Sequence, residues 1–228
     1  MTFSICVHET YVDAADERAD RFGVAVTTRL PAVGSLCPYV SEHGAIATQS
    51  MVNERLGQLG LDYVADGVAV GDALEALLNA DDGKPERQVH GVDAEGTFTF
   101  SGSECHGWYG AHEGEGYTVA GNLLTGASVI EAVADSYESS DREEPLAPRL
   151  IDALAAGQAE GGDKREVLSV QSAALNVVTT GDEEAGGYGN DLRVDASDSP
   201  VRDLRETYRS ATVEFARAAE AYERERER

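Results

Sequence analysis

"FGVAVTTRL", residues 22–30, is a run of small, apolar and β-branched side chains with no helical spacing. A strand with one face in water alternates apolar and polar residues, and this one does not. It is therefore expected to be buried on both faces, in a sheet packed on two sides. Upstream, "TFSICVH" (2–8) reads as a second strand, with "ETYVDAADERADR" (9–21) as a polar, turn-like connection. Downstream, "PAVGSLCPY" (31–39) is punctuated by Pro and Gly and reads as a loop, and "GAIATQS" (44–50) as a third strand.

The period then changes. "MVNERLGQLGLDYV" and "VGDALEALLNAD" place apolar residues at helical spacing, with Leu74, Leu77 and Leu78 on one face. "RQVHGVDA" and "GTFTFSG" predict a hairpin across Glu95-Gly96, and "GYTVAGNLL" another strand. A second helix pair follows in "GASVIEAVADSYE" and "APRLIDALAAGQA". "VLSVQSAALNVVTT" (167–180) reads as a long strand, "DEEAGGYGND" as a loop and "DLRVD" (191–195) as a short strand. Ser199 and Pro200 then supply an N-cap and a first helical residue for a long terminal helix. Strand blocks separated by helix pairs, without strict βαβ alternation, predict an α+β fold. The expected architecture is a four-layer αββα sandwich of two antiparallel sheets. One domain is expected over 1–208, with 209–228 extending the last helix.

The 42 acidic residues against 18 basic give a formal charge of −24, and only Lys84 and Lys164 are lysines. Nucleic acid and anionic membranes are disfavoured as partners by repulsion. Acid excess with almost no Lys is expected of a halophile cytoplasmic protein. No basic n-region follows Met1, and no apolar run approaches the roughly 18 residues of a membrane span. Cys6, Cys37 and Cys105 are an odd set without metal-type spacing and read as free thiols. The five histidines show no ligand pattern, so neither a metal nor a cofactor is expected.

No nucleotide-binding or serine-hydrolase signature is present. What remains is Thr2. A Thr hydroxyl needs a base within hydrogen-bond reach. An N-terminal Thr has one in its own α-amine, whose ordinary pKa is about 7.7–8.0. That chemistry requires loss of Met1. Ser4 and Cys6 share Thr2's face of the strand. His8 is about 20 Å along at about 3.4 Å per residue, too far to serve as base. His106 and Trp108 in "CHGWYG", read as a loop, are candidates for the wall of a substrate pocket.

Several stretches then line up in order: "TFSI" (2–5), "GVAVTTRLPAVGSLCPY" (23–39), "GAIATQS" (44–50), "GNLLTG" (121–126), "GGD" (161–163), "QSAAL" (171–175), "DLRVD" (191–195) and "PVRDL" (200–204). Together they resemble the domain-of-unknown-function family 1028 over about residues 2–208. That family is similar in fold to the N-terminal nucleophile (Ntn) hydrolases. The resemblance implies attack on an amide carbonyl, an acyl-Thr ester and its hydrolysis, acting on a small-molecule or peptide-like amide. By that analogy Thr2 is the nucleophile, and Arg29, where the family often carries Lys, supplies a positive field. Oxyanion and substrate contacts then fall to Gly34, Ser35, Gln49, Ser50 and Asn122. A departure is "REVLSV" (165–170), which looks like an insertion before "QSAAL". The residues leave a second reading open, a non-catalytic binding or assembly protein on the same scaffold. The exposed edges of a two-sheet sandwich also fit a homodimer.

Overall fold

The computed structural model describes residues 2–12, 18–163, 165, 167–180 and 190–226. One sheet has six strands in the order β10-β9-β2-β1-β8-β7, all neighbours antiparallel. These are β1 (Thr2–Val12), β2 (Arg18–Thr28), β7 (Trp108–Gly114), β8 (Tyr117–Leu124), β9 (Gln171–Thr179) and β10 (Asp191–Ser197). The other is the antiparallel meander β3-β4-β5-β6: β3 (Pro38–Ser41), β4 (Gly44–Ser50), β5 (Arg87–Asp93) and β6 (Thr97–Ser101). Helices α1 (Glu54–Ala65) and α2 (Val70–Asn79) cover the four-stranded sheet. Helices α3 (Ser128–Glu138), α4 (Leu146–Ala159) and α5 (Pro200–Arg226) cover the six-stranded one. The molecule is the αββα sandwich that its element order predicts.

Three apolar layers hold it together, and side-chain alternation along β1 shows how. Phe3, Ile5 and Val7 point toward α3 and α4 and join the largest cluster. Cys6 points the other way, into the layer between the sheets with Val24, Val26, Ala45, Ala47 and Ala174. The middle layer is built of small residues, while Leu, Ile, Phe and Tyr fill the helix-covered layers. Gly157 is required where α4 crosses β1: a Cβ there would lie 2.6 Å from Val133 Cγ2 and 2.9 Å from Phe3 Cε2. Among the described residues, no helix is long and apolar enough to cross a membrane.

The structure corrects four local expectations. The 9–21 stretch is not a turn throughout, because β1 runs to Val12 and β2 begins at Arg18. Its polar residues pair as an exposed hairpin arm, with His8 Nε2 2.8 Å from Asp20 Oδ1 and Arg21 bonded to Glu9. The "CHGWYG" loop ends at Cys105–Gly107, because Trp108 starts β7. This is an edge strand whose half-exposed residues give no apolar alternation. Pro38–Ser41 within and after the predicted 31–39 loop forms another edge strand, β3. Finally, β9 starts at Gln171 rather than 167, so exposed Val167 and Val170 precede it. The "DEEAGGYGND" loop lies, up to residue 189, outside the described residues.

Candidate active site

Thr2 is the first described residue of β1 and sits opposite Thr28 on β2 and Asn122 on β8. Directly opposed residues share a face of the sheet, so three polar side chains gather at one end of the ladder. Thr2 Oγ1 donates to Thr28 Oγ1 at 3.2 Å. All three line a cleft of about 300 Å³, together with Gln49 and Ser50 from β4, His106, and Arg165. The rest of the wall is apolar: Leu30, Pro31, Val33, Leu36 and Cys37 from the segment that follows β2, Met51 and Val52 from the segment that follows β4, and Leu123 from β8. Buried Ser172 shapes the first segment. Its Oγ donates to Leu30 O at 2.6 Å and accepts from Val33 N–H at 3.0 Å.

Behind the cleft a chain of neutral polar groups runs between the sheets. Asn122 Nδ2 and Gln49 Nε2 both donate to Gln88 Oε1 at 3.0 Å. Gln88 Nε2 donates in turn to Ser101 Oγ and to the carbonyls of Gly110 and Gly121. Ser4 Oγ donates to Gln49 Oε1 at 3.0 Å and lies 2.7 Å from His90 Nε2. Since Ser4 spends its proton on Gln49, His90 must carry its proton on Nε2, and Nδ1 accepts from Thr118 Oγ1 at 2.8 Å. Burial pushes the His90 pKa down to about 3, so the imidazole is neutral. Burial also raises the thiols of Cys6 and Cys37, which are protonated and unreactive here.

The backbone around the cleft is strained. Among the described residues three non-glycine residues have positive φ: Ala32 at 60°, Ser50 at 70° and Leu123 at 55°. Ser50 and Leu123 line the cleft, and Ala32 lies between lining residues Pro31 and Val33. Leu123 is the extra residue of a bulge between β7 and β8, where Trp108 pairs with Leu124 and Tyr109 with Asn122. Each such residue costs on the order of 1–3 kcal/mol, and strain of this kind gathers at functional sites.

Of the residues singled out in the sequence, Thr2, Gln49, Ser50, His106 and Asn122 meet at the cleft. The others stand apart from it. Arg29 is one residue past Thr28, and Nη1 donates to Leu168 O at 3.2 Å, away from the cleft wall. Its Nε is buried without a partner among the described residues. Gly34 packs against Ala174 and Arg193, and Ser35 is exposed with Oγ donating to Ala32 O at 2.8 Å. Trp108 folds over Gly110 and against the helix-side core. The guanidinium at the cleft wall belongs instead to Arg165, whose Nη2 lies 3.0 Å from Asp163 Oδ2. Asp163 also accepts from the Arg29 backbone N–H. Thr28 was legible from strand alternation, because even-numbered residues of β1 and β2 share a face; Arg165 had no sequence signal. Among the described residues, no group of three or more His, Cys, Asp or Glu is placed to hold a metal.

Residues 2–204 match the model of a family of unknown function, DUF1028. The chain belongs to the DUF1028 family. The crystal structure of protein SPO2555 from Silicibacter pomeroyi, of the same family, is similar with a TM-score of 0.73 and 25% sequence identity. The match covers 92% of this chain and 89% of that one. A search of curated proteins gave no significant match. In DUF1028 terms, the matched region takes in both sheets, α1 to α4, every residue of the cleft and only the start of α5, as far as Leu204.

Proposed function

We propose that this DUF1028 protein is an N-terminal nucleophile amidohydrolase in which Thr2, exposed by removal of Met1, attacks an amide carbonyl. The observation that carries the reading is the position of Thr2: the first described strand residue, on the wall of the cleft, with its hydroxyl against Thr28. A hydroxyl needs a base, and the candidates in the lining are poor. Arg165 cannot accept a proton. The Cys37 thiol is held protonated by burial. His106 is exposed on the loop before β7, held by its carbonyl accepting from Leu123 N–H, and among the described residues its ring makes no hydrogen bond to Thr2. The α-amine of a mature Thr2 is the base that comes with the nucleophile, with an ordinary pKa of about 7.7–8.0.

The reaction then runs in two balanced halves. The amine takes the hydroxyl proton, Oγ1 bonds to the carbonyl carbon, and the C–N bond breaks as the proton passes to the leaving amine. Water hydrolyses the resulting Thr2 ester and frees the carboxylic acid. We assign Asn122 as donor to the tetrahedral oxyanion, a reading supported by its Nδ2 having two hydrogens of which Gln88 takes one. Arg165, paired with Asp163, takes the place expected for Arg29. Gln49, Ser50 and His106 are the substrate-contacting side chains. The −24 charge with two lysines supports a salt-adapted, cytoplasmic setting.

The test is the mass of the purified protein before and after exposure to an amide-mimicking electrophile such as a β-lactone. The reading requires a chain lacking one methionine that gains one adduct at Thr2. A chain that keeps Met1, or a Thr2→Ala variant that labels equally, leaves only a binding protein on this scaffold.

A further inference from the structure

The charge of the cleft is at odds with that of the molecule. Acidic residues number 42 in 228, yet no Asp or Glu lines the cleft among the described residues. Its charged side chain, Arg165, is matched by Asp163 behind the wall. The polar groups beneath, from Asn122 to His90, are neutral. Around the mouth stand Leu30, Leu36, Met51 and Val52, each an exposed large apolar side chain. Single exposed hydrophobics are ordinary, but four on one rim mark a binding surface.

We propose that the cleft selects amides whose acyl group is a short, uncharged aliphatic chain. This rests on the reading of Thr2 as nucleophile. The scissile carbonyl lies at Thr2, and the chain lies against Leu30, Leu36, Met51 and Val52. The volume favours a short chain: about 300 Å³ is the low end of small-molecule sites, which run from about 300 to 1,000 Å³. A charged chain end is rejected because the lining holds no carboxylate and its guanidinium, Arg165, is already paired with Asp163, so its lost hydration is not compensated. That includes a cationic end, although the field of the whole protein draws cations in.

The experiment uses the mature full-length protein and β-lactones whose alkyl substituent grows from methyl to pentyl, with ammonium- and carboxylate-ended versions of the longest. Oγ1 of Thr2 bonds to the lactone carbonyl, the ring C–O bond breaks and the ring oxygen leaves as the hydroxyl of the adduct. The mass gain therefore equals one whole lactone. Labelling is expected to quicken by about four-fold per methylene, the value of a buried CH₂, across the methyl-to-pentyl series. Both charged versions should react at least ten-fold more slowly than the neutral one. Met51→Glu, at an exposed position that leaves the fold intact, should flatten the length series. Equal rates across the series, or an ammonium-ended lactone that reacts fastest, overturn the aliphatic subsite while leaving the nucleophile in place. Calorimetric titration of the Thr2→Ala variant, which lacks the nucleophilic hydroxyl, with N-acetyl and N-pentanoyl amides separates the converse. Length-dependent binding with no Thr2 adduct keeps the subsite and rejects the nucleophile; no adduct and no length-dependent binding overturns both.

Discussion

Thr2 Oγ1 and Thr28 Oγ1 lie 3.2 Å apart across the end of the β1–β2 ladder, and both side chains are on the wall of one cleft. Thr2 donates this bond, so Thr28 fixes where the nucleophilic oxygen points. Replacing Thr28 with Val keeps the branched shape and removes the acceptor. Labelling of Thr2 by an alkyl β-lactone should fall by about ten-fold, the value of about 1.4 kcal/mol of lost orientation. The denaturation midpoint should stay near that of the unmodified chain, and the comparison of rate with midpoint is the measurement.

Asn122 is the side-chain donor assigned to the oxyanion. Asn122→Ala should slow Thr2 labelling by about 10²–10³, the usual cost of losing one such donor. Gln88→Leu should slow it less, because the Asn122 donor stays and loses its orienting acceptor, which Gln49 loses with it. Equal losses in the two variants would show that the network acts through packing alone.

His90 makes stability depend on pH. Its folded pKa, pushed to about 3 by burial, lies below the ordinary value of about 6.5. Below 6.5 the unfolded chain therefore binds a proton that the folded chain does not. The stability is fully present above pH 6.5 and is lost as pH falls toward the folded value, at up to about 1.4 kcal/mol per unit. Denaturant titrations between pH 6.5 and 5, above the bulk of carboxylate titration, should show this slope. His90→Gln should be less stable at pH 7 and flatter over the same window.

Glu9 ties β1 to two helix-side arginines at the far end of the strand. Its carboxylate is 3.1 Å from Arg142, within 3.0 Å of both contacts to Arg149, and also bonded to Arg21. Arg149 is 1% exposed, and its Nη2 is buried without a partner among the described residues. Glu9→Gln would leave that guanidinium without a counter-charge and should cost about 3 kcal/mol in urea unfolding. Glu9 lies about 24 Å from Thr2 along the strand, so labelling of the variant that remains folded should be unchanged.

Much of the fold could be read from spacing. The unalternating run at 22–30, buried in the fold from Phe22 to Thr28, implied a sheet covered on both sides, and the helix pairs implied the outer layers. Pattern failed at β3 and β7, which are edge strands and so do not alternate, and at 9–21, where pairing outlasts burial. The site was partly legible for a related reason. Thr2, Gln49, Ser50, His106 and Asn122 lie at or next to strand ends that the sheet order brings together. Arg29 stands one residue past Thr28, where β2 ends, and its guanidinium turns to the Leu168 carbonyl rather than lining the cleft. Arg165 reaches the cleft because Asp163 bridges to Leu124, a long-range contact that no local pattern encodes. The neutral chain from Asn122 to His90 joins residues from four strands and has no sequence signature.

The central claim is that the mature chain begins with a nucleophilic Thr2. Intact and peptide mass spectrometry of the purified protein, after reaction with the butyl β-lactone, tests it most directly. The account predicts loss of one methionine and a single lactone adduct on the N-terminal Thr2 peptide, absent from Thr2→Ala. Retained Met1, or an adduct that forms elsewhere and persists in Thr2→Ala, would contradict it.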